Sequence, residues 1–567
     1  MRAVLPASTL LALAACQAAP PPKAPAVPPS VLLVTIDTLR ADRVGAYGDR
    51  DARTPHLDAL AQAGLVFERA YAPAPLTLPS HATIHTGLLP PAHGVRGNGS
   101  FALGPEPPTL AEAMRARGLR TAAFVGAFPV ARRFGLGRGF DHYDDRIEKA
   151  AGVHYEFAER RAADVVAAAR AWLTANPGPC FVWVHLFDPH APYDPPAAFR
   201  GADPYRGEIA SADAALGALL QAWYGRSGAS YVAVTSDHGE AFGEHGEESH
   251  SLFVYDATLH VPLVLRGPDL PARRETAPVG LDDLAATLLA RVPGDGPALP
   301  GRDLTRSTEA RALYAETLAP RLEFGWSDLR AWRDGRYKLV RAPRPELYDV
   351  EADPGETRDL AASDPGRVAA MTAALGEALE RMGERTSARA PDPDAAERLR
   401  ALGYAQGPGG AGSGADPKDR VAVALAIARA AGPFPDAAAA ARAYEAIARQ
   451  DPDNPLVNFR LADALLRAGQ PARALPYFDR VANGGPRTAD PLIGLAAAYA
   501  SLGRLDDAGR ALQRALEIDP SSGQAHYNLG EIARANGDRA AARAAYEAAL
   551  RDEVTRERAA ARLKDLR

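Results

Sequence analysis

The chain has 567 residues, of which 47% are hydrophobic and 24% are charged. This is the composition of a globular protein, and the length suggests about two to four domains. The formal net charge is -5 at pH 7 and no strong basic run is present, which argues against nucleic acid as a partner.

The N-terminal segment predicts export and a lipid anchor. Arg2 precedes a short apolar run, residues 3–15, that is too short to span a bilayer as a finished helix. The run ends in LAAC, which resembles the lipobox of bacterial lipoproteins and would make Cys16 the lipidated N-terminus. A secretory signal that happens to contain a cysteine is the alternative. We interpret residues 1–16 as a signal peptide and expect the protein in the bacterial cell envelope, on the outer membrane or periplasmic face.

A Pro-rich stretch at residues 17–30 follows and predicts an extended tether. Only one other cysteine, Cys180, is present, so a lipidated Cys16 leaves no intrachain disulfide. Cys180 lies in the apolar run CFVWVHLF and is expected to be buried in the core.

Strands alternate with helices over the next 260 residues or so, a pattern that predicts a largely parallel sheet with helices on both faces. In chain order the predicted elements are a strand at 30–37, a helix at 54–67, a helix and strand within 109–126, a helix at 158–174, a strand at 180–187, a helix at 208–222, a strand within 230–239, a strand at 260–267 and a helix at 281–290. Residues 31–309 are the predicted catalytic core. Residues 310–402 predict a small antiparallel sheet with a closing helix.

A step of 34 residues appears beyond a Gly-rich linker at residues 403–417. The recurring positions are Gly469, Gly503 and Gly537; Pro452, Pro486 and Pro520; Ala440, Ala474, Ala508 and Ala542; and Tyr444, Phe478, Leu512 and Tyr546. The period resembles the tetratricopeptide repeat, with about four repeats within residues 418–567. Such an array offers a concave face to a protein or peptide, and a purely structural appendage is the alternative. We expect it to fold separately, so that a chain ending near Tyr404 keeps its activity.

Candidate metal ligands lie at the ends of strands. Asp37 ends the first strand, and Asp237 and His238 follow the strand YVAVTS. Ligands gather at the carboxyl edge of such a sheet. Together with the alcohol of Thr77, these groups can surround a divalent cation that lowers the pKa of the hydroxyl and polarises the attacked ester. The histidine favours zinc or manganese, and calcium is also compatible.

Thr77 lies in the stretch PLTLPSHATIHTG, where a helix begins. Pro75 and Pro79 predict that the helix starts no earlier than Ser80. Free backbone N–H groups at a helix N-terminus favour an anion and an activated oxygen nucleophile. For any single Ser or Thr here, a simple N-cap is the alternative.

Six segments together resemble the sulfatase branch of the alkaline phosphatase superfamily: VLLVTIDTLRADRVGAYG, TLPSHATIHTGLLPPAHGV, TLAEAMRARGLRTAAFVG, TSDHGEAFGEH, LHVPLVLRGP and YKLVRAPRPELYDVEADPGETRDL. The resemblance implies an α/β fold with a central sheet covered by helices and a small C-terminal α+β subdomain, followed here by the all-α repeat solenoid. It also implies a metal-dependent ester hydrolase.

The nucleophile motif departs from that of true sulfatases, which carry Cys or Ser, then x-Pro-x-Arg, and convert the first residue to formylglycine. Here TLPSH places Thr77 at the nucleophile and His81 in place of the arginine, so no formylglycine is expected. The stretch resembles more closely the nucleotide pyrophosphatase/phosphodiesterases, in which an unmodified threonine is nucleophile and metal ligand. That resemblance maps Asn98 onto the residue that, with helix N–H groups, holds the charged substrate oxygen.

Two histidines complete the candidate site. His190, in HLFDPHAPYDPP, resembles the family histidine that steadies or protonates the leaving group. His250 lies near the family's phosphate-contacting lysine. With Asp188, both could instead hold a second metal, as in the phosphodiesterase branch, although the spacing differs. Weaker candidates are His185 and His245, whereas His85 and His93 are expected to be structural.

The sequence therefore predicts an exported hydrolase that cleaves phosphate mono- or diesters through Thr77. The substrate would be a small-molecule, glycan-linked or lipid-linked ester, and the repeats would bind a protein or peptide. A sulfatase working without formylglycine is one alternative. A catalytically degenerate binding protein is another, against which the complete ligand set of Asp37, Asp237 and His238 argues.

Overall fold

The computed structural model describes residues 27–147, 160–306, 309–387, 412–432, 434–484 and 488–566. Cys16, most of the predicted tether, residues 403–411 of the linker and Pro486 lie outside the described residues. Within the described ranges, no helix has the length and apolar character needed to cross a bilayer.

A mixed nine-stranded sheet forms the centre of the larger domain. Its strands are β1 (Ser30–Ile36), β2 (Leu65–Tyr71), β3 (Arg120–Val125), β4 (His142–Asp144), β5 (Cys180–Leu186), β6 (Ser230–Thr235), β7 (His260–Arg266), β8 (Arg273–Glu275) and β9 (Val279–Gly280). The order is β4-β3-β5-β1-β6-β7-β2-β8, with β9 also paired to β2. Five neighbouring strands of this order, β4, β3, β5, β1 and β6, are parallel to one another. Strand β7 is antiparallel to both β6 and β2.

Helices cover both faces of this sheet. They are α1 (Pro55–Gln62), α2 (Thr77–Thr86), α3 (Pro90–His93), α4 (Leu110–Ala116), α5 (Ala162–Ala175), α6 (Pro204–Tyr224), α7 (Asp256–Leu259) and α8 (Leu284–Leu289). Every residue of β1 is buried, with Val31 and Leu33 in one apolar cluster and Leu32 and Val34 in another. Alternate side chains of one strand thus supply two cores, as a doubly covered sheet requires. Cys180 lies in the second cluster, fully buried as expected.

Among the helix boundaries that differ from the predicted ones, those of α1 and α2 have a clear local reason. The helix predicted at 54–67 ends at Gln62, and Leu65 begins β2. Gly64 lies between the two elements. A side chain does not fit at this position, because a Cβ would lie 2.5 Å from the carbonyl oxygen of Leu265. Helix α2 starts at Thr77, not at Ser80. Pro79 is tolerated since the amides of the first turn have no intrahelical acceptor to lose.

A second, antiparallel sheet packs on the core with a closing helix, as the sequence predicts. Its strands are β10 (Leu313–Thr317), β11 (Leu329–Asp334), β12 (Tyr337–Arg341) and β13 (Glu346–Asp349), in that order, and the helices of this region are α9 (Ala319–Phe324) and α10 (Pro365–Met382). Buried Lys338 ties this sheet to the core, with Nζ 2.7 Å from Asp256 Oδ1 and 2.8 Å from Glu356 Oε1.

The C-terminal region is an array of helices. They are α11 (Val421–Arg429), α12 (Ala437–Gln450), α13 (Pro455–Arg467), α14 (Pro471–Asn483), α15 (Asp490–Ser501), α16 (Leu505–Ile518), α17 (Gly523–Ala535), α18 (Arg539–Ala549) and α19 (Glu553–Asp565). The 34-residue period has a packing reason, because Ala474, Ala508 and Ala542 are fully buried. The glycines of the period end their helices with φ of +72° to +77°.

The array packs directly on the enzyme domain, a contact that the sequence pattern did not predict. Trp326, 1% exposed, donates a hydrogen bond from Nε1 to Asp451 Oδ2 at 2.7 Å. The described end of the linker is held as well, because Ser327 N–H donates to the carbonyl of Ala415 at 2.9 Å. One apolar cluster runs from the central sheet into the repeats. The array is therefore a docked part of the molecule and not a tethered module.

Candidate active site

Three predicted metal ligands meet at the carboxyl edge of the sheet. Asp37 follows β1, and Asp237 and His238 follow β6, its parallel neighbour. All three side chains are fully buried, and one ligand atom from each lies within 4.8 Å of the others. His238 Nε2 is 3.8 Å from Asp37 Oδ1 and 3.6 Å from Asp237 Oδ2.

The ligand atoms lack hydrogen-bond partners among the described residues: both oxygens of Asp37, Oδ2 of Asp237 and Nε2 of His238. Their other atoms are held in place. Asp237 Oδ1 accepts from the His238 N–H at 3.0 Å, and His238 Nδ1 donates to the carbonyl of Gly239 at 2.9 Å. The second bond leaves the lone pair of a neutral imidazole on Nε2.

This arrangement fits a divalent cation. Orphaned buried carboxylate oxygens are costly unless a positive charge compensates them. Zinc ligands at about 2.0–2.2 Å in a tetrahedron stand about 3.3–3.6 Å apart, close to the separations seen here. Burial raises the pKa of Asp37, although His190 and His238 act to lower it. Burial acts to lower the pKa of His238, but Asp237 and Asp37 raise it above its ordinary value, so the local field favours a cation.

Thr77 begins helix α2, whose first turn is fixed against the ligands. Ser80 Oγ donates to the carbonyl of Asp237 at 2.6 Å. His81 Nδ1 donates to the carbonyl of Thr77 at 2.8 Å and lies 3.5 Å from Asp237 Oδ2. Thr77 itself is fully buried. The nucleophile candidate is thus placed at the same edge of the sheet as the three ligands.

Asn98 covers the N-terminus of α2. Its Oδ1 accepts from the Leu78 N–H at 2.9 Å, whereas its Nδ2 is buried with no hydrogen-bond partner among the described residues. The helix amides are less available than expected, because Leu78 is occupied by Asn98, Pro79 has no N–H, and Ser80 N–H donates to the carbonyl of Leu76. The Asn98 amide is therefore the clearer donor for an anionic oxygen.

His190 and His250 lie together beside His238. The ring of His250 is 4.6 Å from that of His238 and 5.1 Å from that of His190. Glu240, which the sequence reasoning missed, accepts from His250 Nδ1 at 2.9 Å and from the Tyr193 hydroxyl at 2.9 Å. The sequence feature that could have indicated Glu240 is its position two residues after His238 in TSDHGE. The carboxylate fixes which ring nitrogen of His250 faces away from it.

Asp188 does not join these histidines. Its Oδ2 accepts from the Ala162 N–H at the start of α5, at 2.7 Å. In the part of the chain that the structure describes, Asp37, Asp237 and His238 are the one group of three close carboxylate or histidine ligands. The structure therefore does not assemble the second metal site that Asp188, His190 and His250 could have formed.

A buried polar network lies beneath the site around Thr35, another residue that the sequence reasoning missed. Trp183 Nε1 donates to Thr35 Oγ1 at 3.0 Å, and the rings of His81 and His185 lie 3.0 and 3.1 Å from that hydroxyl. Burial lowers the pKa of His81 to about 3 and that of His185 to about 4. His81 is therefore neutral and does not replace the positive charge of the family's arginine.

Of the four weaker histidine candidates, His85, His93 and His245 are separate from the ligand group. His85 packs against Trp183 with ring centroids 4.3 Å apart, and His93 is buried near the end of α3. His245 stacks on Tyr255 at 3.5 Å. His185 is closer to the site than expected, with Nε2 3.4 Å from Asp37 Oδ2.

Comparison with known proteins agrees with this geometry. Residues 29–294 match the family model described as Sulfatase. Residues 496–537 match a TPR repeat model, and residues 428–490 and 465–516 match a tetratricopeptide repeat model.

Two bacterial sulfatases resemble most of the enzyme domain. "Uncharacterized sulfatase YidJ" of Escherichia coli (strain K12) is 25% identical over 418 residues, which cover 59% of this chain and 83% of that protein. "Delta 4,5-hexuronate-2-O-sulfatase" of Bacteroides thetaiotaomicron is 24% identical over 419 residues, covering 59% and 85%.

Solved structures share the fold. Phosphonate monoester hydrolase of Agrobacterium radiobacter aligns with a TM-score of 0.51 and 23% identity, over 62% of this chain and 96% of that one. The enzyme of the same name from Silicibacter pomeroyi aligns with a TM-score of 0.53 and 22% identity, over 63% and 96%. The larger domain thus resembles the sulfatase family of ester hydrolases over residues 29–294, and the helical array after it matches tetratricopeptide repeats.

Proposed function

We propose that this protein is an exported, metal-dependent hydrolase of phosphate mono- or diesters that uses Thr77 as its nucleophile. The observation that carries the proposal is the set of unpartnered, buried ligand atoms of Asp37, Asp237 and His238 beside the first turn of α2. Without a cation, such buried unpartnered groups would lower the stability of the folded protein, which argues against a binding protein that needs no metal.

Phosphorus is favoured over sulfur because Thr77 is an alcohol in a motif that cannot yield formylglycine. An alcohol nucleophile suits a covalent phosphoryl intermediate. Sulfate-ester hydrolysis without formylglycine is the second candidate, and the sulfatases among the relatives favour it.

The chemistry divides into two steps. In the first step the Thr77 hydroxyl releases its proton to solvent and Oγ attacks the phosphorus. The bond to the leaving oxygen breaks, and His190 donates a proton to that oxygen. A bound divalent cation would lower the pKa of the Thr77 hydroxyl and neutralise charge on the ester. Asn98 Nδ2 donates to a non-bridging oxygen, and His250 contacts the phosphoryl group.

Water then attacks the phosphorus of phospho-Thr77. The bond to Oγ breaks, Thr77 regains a proton from solvent, and phosphate or a phosphate monoester is released. His190, deprotonated in the first step, is placed to accept a proton from the attacking water, since the same group serves both directions of proton transfer.

Zinc or manganese is the favoured metal from the histidine ligand, with calcium also compatible. We propose that the substrate is a small-molecule, glycan-linked or lipid-linked ester and that the repeats bind a protein or peptide. We further propose that Cys16 carries a lipid that holds the protein in the bacterial cell envelope.

The test is a panel of phosphate monoesters, phosphate diesters and sulfate esters, assayed with chelated protein and after addition of zinc, manganese or calcium. We expect phosphate-ester turnover that requires the metal and that disappears in Asp37→Asn, with loss of bound metal. The exposed Asp51→Asn is the matched control and should behave as wild type. Turnover of sulfate esters alone would support a sulfatase that works without formylglycine. A protein that binds no metal and turns over no ester would support the catalytically degenerate binding protein.

A further inference from the structure

The loop that carries His250 reaches from the active site to the repeat array. It begins at Glu240, two residues after His238, and ends at His250. Two backbone hydrogen bonds close it, from Ala241 N–H to the carbonyl of Ser249 and from Gly243 N–H to that of Glu247, both 2.7 Å long. We call residues 240–250 the His250 loop.

The tip of this loop abuts the first helix of the array. Gly246 has φ of +83°, and a Cβ built on it would lie 2.9 Å from Cγ1 of Val421 in α11. No side chain therefore fits between the loop tip and this helix. Val421 is partly buried and belongs to the apolar layer packed on the main core.

A second contact reaches the same loop through the small sheet. Lys418 Nζ lies 3.5 Å from Glu346 Oε1, and Glu346 Oε2 accepts from the Tyr255 hydroxyl at 2.8 Å. Tyr255 in turn stacks on His245, one residue from the loop tip, with ring centroids 3.5 Å apart and an interplanar angle of 12°. The array thus holds the loop at its tip and on its flank.

We propose that Val421 and Lys418 are positioning residues that hold the His250 loop in its catalytic geometry, so that the repeat array is a working part of the active site. This inference rests on the proposed role of His250. Since packed side chains transmit small displacements, removal of either contact is expected to move His250 without touching the metal ligands.

The experiment is a double-mutant cycle on the full-length protein, with a phosphate ester that the wild type cleaves. Val421→Ala is expected to lower kcat/KM about tenfold in the wild-type background and less than about twofold in the His250→Ala background, because coupled residues are non-additive. The matched control is Val481→Ala, a buried valine of α14 away from the loop, which should leave kcat/KM unchanged in both backgrounds.

Amide hydrogen exchange gives a readout that does not depend on activity. Exchange within residues 241–249 should be faster in Val421→Ala and in Lys418→Ala than in wild type, and unchanged in Val481→Ala. Equal protection in all variants, or an equal loss of kcat/KM in both backgrounds, would overturn the positioning role. If His250→Ala alone has no effect on turnover, the proposed function is at fault, and faster exchange would still support the contact.

Discussion

Asn98 has two amide atoms whose proposed roles, as a helix cap and as an oxyanion donor, can be separated. Its Oδ1 accepts from the Leu78 N–H, and its Nδ2 is directed to no described acceptor. Asn98→Asp keeps the acceptor at the helix N-terminus but removes the donor and adds a negative charge. We expect the melting temperature to stay within about 2 °C of wild type, while kcat falls about 10²–10³-fold, the usual cost of one oxyanion donor.

Asn98→Ala serves as the comparison, because it removes both atoms. It should lower kcat to a similar degree and also lower the melting temperature through the lost cap. Equal kcat for Asn98→Asp and wild type would show that the amide does not contact the substrate.

Thr77 is the second residue whose role can be isolated. Thr77→Ala should abolish turnover, a rise in the barrier of at least about 4 kcal/mol if the covalent route is lost. Thr77→Ser keeps the hydroxyl and should retain measurable activity. Intact-mass spectrometry should show phosphate trapped on acid-quenched wild type and no formylglycine at position 77. Substantial turnover by Thr77→Ala would move the nucleophile elsewhere.

Among the elements, helix α3 carries a pH-sensitive group away from the ligands. His93 Nδ1 accepts from the Val95 N–H and its Nε2 lies 3.1 Å from Thr83 Oγ1, an arrangement that requires the neutral ring. Burial lowers the pKa of His93 to about 3. Between about pH 6.5, the ordinary pKa of histidine, and about pH 3, the imidazole is protonated in the unfolded chain but not in the folded one. The free energy of unfolding therefore decreases as the pH falls through this range.

His93→Asn keeps an acceptor for Val95 and removes the titrating group. Its melting temperature should be lower than that of wild type at pH 7.5 but should fall less between pH 7.5 and 4.5. The exposed His142→Asn is the control and should follow the wild-type curve. Parallel curves for His93→Asn and wild type would exclude His93 as a source of acid sensitivity.

The elements also show what sequence reasoning can reach. The ends of β1 and β6 were predictable, because apolar strand runs lead directly into Asp37 and into Asp237 with His238. Strand β2 was not, since the apolar residues after Gly64 continue the pattern of α1. The Glu240–His250 pair was also missed, because it depends on a loop that folds back through irregular backbone. Periodicity describes regular elements, whereas such loops follow from contacts between distant residues.

At the scale of the whole molecule, the packing of the array on the enzyme domain predicts that removal of the array destabilises that domain. A chain of residues 17–404 leaves Trp326 without Asp451 and uncovers part of the apolar cluster. We expect it to melt about 5 °C lower than residues 17–567 and to lose activity, as removal of a large buried contact predicts. Residues 17–519 retain the docked helices and should keep both properties. If residues 17–404 match the longer chain in melting temperature and activity, the array is a tethered module and not a docked one.

The proposed lipid anchor at the N-terminus can be tested at Cys16. If Cys16 is lipidated, Cys16→Ser should move the protein from the membrane fraction to the soluble fraction while its activity on small esters is unchanged. Mass spectrometry of the wild type should then find an acylated cysteine followed by Gln17. Unchanged fractionation of the variant would remove the lipid anchor from the proposal.

The bond between Trp326 and Asp451 has a consequence for biosynthesis. The two residues are separated by 125 positions, so the tryptophan leaves the ribosome long before its acceptor. During that interval the enzyme domain has an uncovered aromatic face of the kind that chaperones and proteases recognise. We expect a nascent chain that ends before the repeats to keep that face exposed and to be degraded faster than the full-length chain. Docking of the array would then distinguish completed chains from interrupted ones.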